Sequence, residues 1–134
     1  LRTKEFEYAT LEFDEDKNIL FYRVKQDITV TPEVMKDLLR YVEEFMGPVR
    51  HYAVVDFGLN VNSTAEGRRK YSESEYIKKW RIADAFLVNS LGMRLIANFF
   101  IRMQSPAVPT RVFNDELLAI LWLEKQKSES KAAS

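Results

Sequence analysis

The stretch His51-Tyr52-Ala53-Val54-Val55-Asp56-Phe57 constrains the fold more than any other part of the chain. It is too short for a helix and too continuously apolar for a strand with one wet face, so it belongs at the centre of a sheet covered on both sides. Gly47-Pro48 stands before it, where a helix must stop, and Asn62-Ser63-Thr64 stands after it, where a helix can begin. A buried strand between two helices implies right-handed crossovers and a parallel sheet.

The flanking segments extend that pattern. Residues 5–13 alternate apolar and polar, 14–18 break the alternation, and 19–24 are β-branched and aromatic, which predicts an N-terminal β-hairpin. Asp14, Glu15 and Asp16 lie in its turn and lack the spaced carboxylates and glycine of a calcium loop. Thr31-Pro32-Glu33 opens a helix whose apolar face carries Val34, Leu38, Tyr41, Val42 and Phe45. Residues 81–88 and 110–113 predict two further strands. The order is β-β-α-β-α-β-α-β-α, an α/β fold with a mostly parallel five-stranded sheet. Asn114 is expected to cap the last helix, with Phe113 packing on Leu118 as a hydrophobic staple. Residues 1–124 then form one domain, and 125–134, without large apolar side chains, a frayed or disordered tail.

Composition removes several function classes. The 134 residues are enough for one core without crosslinks. Absence of cysteine excludes disulfides, thiolate metal sites and a cysteine nucleophile, and a single histidine, His51, excludes a multi-histidine metal centre. No metal or cofactor is therefore expected. Twenty basic residues balance twenty acidic ones, so the whole chain presents no net positive field to nucleic acid. No apolar run approaches the roughly 20 residues of a membrane-spanning helix, and residues 1–13 lack the apolar core of a signal peptide. The expected location is the cytoplasm.

The segment after the central strand admits more than one role. If Ser63 caps a helix beginning at Thr64, Glu66 stands in capping-box spacing; Ser72 and Glu75 repeat it, which predicts two short helices over about 64–71 and 73–80. Gly58 is the only glycine ahead of the first, too few for a phosphate-cradling loop. A capping serine also sits where a phosphate would meet the positive end of the helix dipole.

With strand, loop, serine and helix in this order, the chain resembles the STAS domain, the fold of the anti-sigma-factor antagonist SpoIIAA, and within it the uncharacterised branch related to SEC14-type lipid-binding folds. The likeness rests on Val54-Val55-Asp56-Phe57, on residues 83–116 and on the closing segment 117–126. In antagonist STAS domains the phosphorylated serine lies in a stretch like Asp-Ser-Ser-Gly after the third strand; here the similar place reads Asn62-Ser63-Thr64-Ala65. The resemblance implies a non-enzymatic domain that binds a protein partner, modulated at Ser63 with Asp56, Asn62 and Thr64 in the adjoining loop. Its lipid-binding relatives imply the alternative, a binder of lipid or another apolar ligand.

Residues 91–103 bear on that alternative. Arg94, Asn98 and Arg102 form one stripe, and apolar residues cover most of the remaining circumference, more than a sheet alone would bury. The excess can meet neighbouring helices, a homodimer mate or an apolar ligand, with Phe99, Phe100 and Met103 as the contact residues. Catalysis is not expected: His51 and Asp56 lie at opposite ends of one strand, about 16 Å apart at 3.3 Å per residue, too far to act with Ser63 as a triad.

Overall fold

The computed structural model describes residues 1–133. Its main sheet has six strands: β1 (Arg2–Glu5), β2 (Ala9–Asp14), β3 (Ile19–Val24), β5 (His51–Phe57), β7 (Arg81–Leu87) and β8 (Thr110–Phe113), in that spatial order. The first two pairings are antiparallel and the next three parallel. Two short strands, β4 (Thr29–Val30) and β6 (Asn62–Ser63), pair parallel beside it. The fold is thus α/β with a mostly parallel sheet, and it carries one more main strand than the five read from the sequence. The alternation over 5–13 is broken: the chain turns after Glu5, Phe6 N–H donates to the Ala9 carbonyl at 2.8 Å, and Arg2–Glu5 pairs back as a separate edge strand. Its side chains are all exposed, so it leaves no apolar period to read.

Five helices complete the domain: α1 (Pro32–Met46), α2 (Ala65–Ser72), α3 (Glu75–Trp80), α4 (Leu91–Met103) and α5 (Glu116–Ala133). The parallel strands advance in one direction, so right-handed crossovers put α1 to α4 on one face. There Leu20, Tyr22, Ala53, Val55 and Phe86 of the sheet meet Leu38, Val42, Phe45, Ile77, Ala97 and Phe100 of the helices. The alternate residues Ile19, Phe21, Tyr52, Val54, Ala83 and Ala85 point the other way, onto Ala119 and Leu123 of α5.

Local signals at α1 hold: the Thr31 hydroxyl accepts from Val34 N–H, Pro32 opens the first turn, and Gly47 ends the helix at φ +63°. Three other caps move. Thr64, not Ser63, caps α2, accepting from Gly67 N–H at 3.0 Å, because Ser63 is held as the last residue of β6. Ser74, not Ser72, caps α3, and Asp115, not Asn114, accepts from Leu118 N–H at 3.1 Å to start α5. With the start displaced, Leu118 is exposed and Phe113 packs on Trp122. Gly67 is set by close approach, since a Cβ there would lie 2.4 Å from the Val30 carbonyl oxygen. Residues 125–133 continue α5, as strong helix formers extend a helix already seated on the sheet, and Lys127 donates to the Lys17 carbonyl; Ser134 lies outside the described residues.

Candidate functional site

The strand residues facing α1 to α4 are bulky, and the helices over them do not close completely. Between them lies an apolar cavity of about 110 Å³. Tyr22, Val24, Val55, Phe57 and Phe86 form its floor, Met35, Leu38, Leu39 and Val42 of α1 one wall, and Met93, Ile96, Ala97 and Phe100 of α4 another. Phe86 and Phe100 stack obliquely with centroids 6.0 Å apart, and Tyr71 of α2 contacts both rings. Only Ala97 and Phe100 of α4 are fully buried, so this wall is the most lightly seated.

Two polar groups of different kinds reach the cavity. One is a closed buried cluster at the amino-terminal ends of β5 and β7. Arg81 donates from Nε to His51 Nε2 at 3.1 Å and from Nη1 to Asp84 Oδ1 and the Tyr71 hydroxyl, and that hydroxyl in turn donates to Asp84 Oδ2. His51 Nδ1–H donates to the Val49 carbonyl at 2.8 Å, which fixes the neutral tautomer. Burial, and then the adjacent Arg81 charge, lower the His51 pKa to about 3. Burial opposes the Arg81 charge, but Asp84 outweighs it and holds the guanidinium firmly protonated. Burial followed by the Asp84 charge pushes the Tyr71 hydroxyl well above its ordinary value. Every ionisable group of the cluster is committed to another.

The second group is open. Arg68 of α2 donates from Nη1 to both the carbonyl and the hydroxyl of Ser63, each at 2.8 Å, and forms no ion pair among the described residues. Its Nε is buried with no acceptor. Asn62, Ser63 and Arg68 together make one polar end of the chamber, apart from the Tyr71 and Arg81 cluster. An unmet guanidinium donor there is suited to a carboxylate or phosphate oxygen.

The residues singled out from the sequence divide accordingly. Ser63 is half-buried at the cavity with Asn62 beside it, and Thr64 is occupied as the α2 cap. Asp56 lies on the other face of the sheet, where Arg23 bridges it at 2.9 Å to Glu116 of α5, so it does not meet Ser63 or His51. Phe100 lines the cavity, whereas Phe99 and Met103 point to solvent. Arg68, Tyr71, Arg81 and Asp84 were not singled out. Arg81 and Asp84 open an apolar strand three residues apart, and charges at such a place are the one sequence signal that marked them.

A family model described as a domain of unknown function, DUF7793, matches residues 13–127. The comparison with curated proteins gives no match. Among solved structures, the chain is similar to an uncharacterised protein of the DUF3478 family with a SpoIIAA-like fold from Shewanella loihica PV-4. The TM-score is 0.59 at 13% identity, covering 90% of this chain and 98% of that one. At that identity the likeness establishes a SpoIIAA-like fold and nothing about activity.

Proposed function

The chain belongs to the DUF7793 family, a domain of unknown function, and from that premise we propose that it is a non-enzymatic binding domain for a small amphiphile. The observation that carries this reading is the cavity: one apolar chamber under α1 and α4 with a single under-used cation, Arg68, at one polar end. An apolar body would occupy the chamber and an anionic head would face Arg68 and Ser63. Apolar cavities of about 150 Å³ stay dry and accept benzene, so a ring or short alkyl chain of that order needs only a slight outward shift of α4. Binding rather than turnover is supported by the separation of Asp56 from Ser63 and by the engagement of both His51 ring nitrogens.

Titration with hexanoate and with hexanol, followed by native mass spectrometry, tests the reading. Saturable one-to-one binding of hexanoate is expected, weakened about tenfold by Arg68→Gln, with hexanol little affected by that change. Val42→Phe, which fills the chamber, is expected to abolish both. Failure of either ligand to bind the intact chain would overturn the proposal.

A second reading, binding of a protein partner modulated at Ser63, is favoured by one contact: the Ser63 hydroxyl already rests 2.8 Å from Arg68 Nη1, so a phosphate ester there would meet a guanidinium. Incubation with host lysate and ATP should then add a phosphate mass to the peptide holding Ser63; an unmodified peptide removes this reading.

A further inference from the structure

The outer side of α4 is apolar where a crossover helix is ordinarily wet. Leu91 (72% exposed), Leu95 (61%), Phe99 (49%) and Met103 (67%) follow one another at four-residue spacing along its solvent side. Ile96 joins this strip to the cavity, since it both lines the chamber and is partly exposed. Arg94, Asn98 and Arg102 border the strip, and neither arginine forms an ion pair among the described residues. The balanced charge of the whole chain conceals a local excess. From residue 85 to residue 114 there is no aspartate or glutamate, and Arg94, Arg102 and Arg111 are the only charges.

We infer that α4 docks the domain onto an anionic lipid surface, its apolar strip entering the headgroup boundary and its arginines meeting lipid phosphates and carboxylates. A helix with Leu, Phe and Met on its outermost line and only cations at the border is the form that lies in a membrane interface. A second copy of the chain fits less well. A two-fold contact between α4 helices would set Arg94 and Arg102 against their own counterparts, with no acidic residue on either helix to offset them. The inference is separate from the cavity reading, because it concerns the opposite side of α4 and needs no bound amphiphile.

Co-sedimentation of the full chain with vesicles of phosphatidylcholine alone, and of phosphatidylcholine mixed with phosphatidylserine, tests it. Binding is expected on the mixed vesicles and falls as salt is raised. The double variant Leu95→Ser with Phe99→Ser, both at exposed positions, should lose binding by more than about tenfold. Arg94→Gln and Arg102→Gln should each weaken it about fivefold on the mixed vesicles and leave binding to phosphatidylcholine unchanged. Absence of wild-type binding to the mixed vesicles at low salt overturns the inference, as does binding that the double serine variant retains. Light scattering that shows a wild-type dimer dissolved by Phe99→Ser also overturns it, since the strip then belongs to a second copy.

Discussion

The two faces of the sheet are built from alternate residues of the same strands, yet they are packed differently, and the chamber lies on the α1 to α4 side. On the α5 side β7 presents Ala83 and Ala85, and α5 answers with Ala119 and Leu123, so the helix comes down close and fills the layer. On the other side Tyr22, Phe86 and Phe100 hold the helices away, three crossover segments share the cover, and a chamber remains. Small residues give a solid layer. Large residues of mismatched shape give a site.

The strongest way to break this comparison is at the buried cluster beside the chamber. Arg81→Ala leaves Asp84 buried without its cation and should destabilise the domain by about 3–5 kcal/mol in denaturant unfolding. Loss of less than about 1 kcal/mol would show that the cavity face relaxes far more than its packing implies. Enlarging one side chain on each face sharpens the contrast: Ala85→Leu on the solid side should cost about 1–3 kcal/mol by overpacking, and Val42→Phe, which has the chamber to enter, less than about 1. Equal costs would mean that the two faces are packed alike.

Acid should act through the cavity side as well. The folded His51 pKa, about 3, lies below the ordinary value of 6.5, so the unfolded chain takes up the proton first as pH falls. The contribution is complete above about pH 6.5 and declines by about 1.4 kcal/mol per pH unit as the pH drops toward 3. His51→Gln, whose amide oxygen reaches the place of Nε2, keeps an acceptor for Arg81 and should flatten that slope in urea melts taken across the window. The smallest effect is expected at Phe99: Phe99→Ser should change stability by no more than about 0.5 kcal/mol, although its neighbour Phe100 is buried in the core.

Where a signal is local, the sequence carried it. Thr31, Pro32 and Gly47 bracket α1 because a cap involves residues only three or four apart, and β5 was legible because burial on both faces leaves no polar alternation. The breaks at α2, α3 and α5 were legible to within one or two residues, and the exact cap was not: serine, threonine, asparagine and aspartate compete for the position, and the β6 pairing decided against Ser63. β1 was missed since its partners lie on another strand and its side chains are exposed, Arg2 touching the core only from outside, over Phe45. Of the residues singled out from the sequence, Asn62, Ser63 and Phe100 line the chamber, whereas Asp56 lies on the other face with Arg23.

The amino-acid order by itself determined an alternating α/β chain with a leading hairpin and, through its patterns, a SpoIIAA-like architecture. Only the tertiary structure decided that Phe99 is wet and Phe100 dry, that Arg68 keeps an unused donor at a chamber, and that α4 shows an apolar line to solvent. The reason is physical. Hydrophobic period and capping are properties of neighbours along the chain, but a void or an unmatched charge exists only where distant segments meet and fail to fill or neutralise one another.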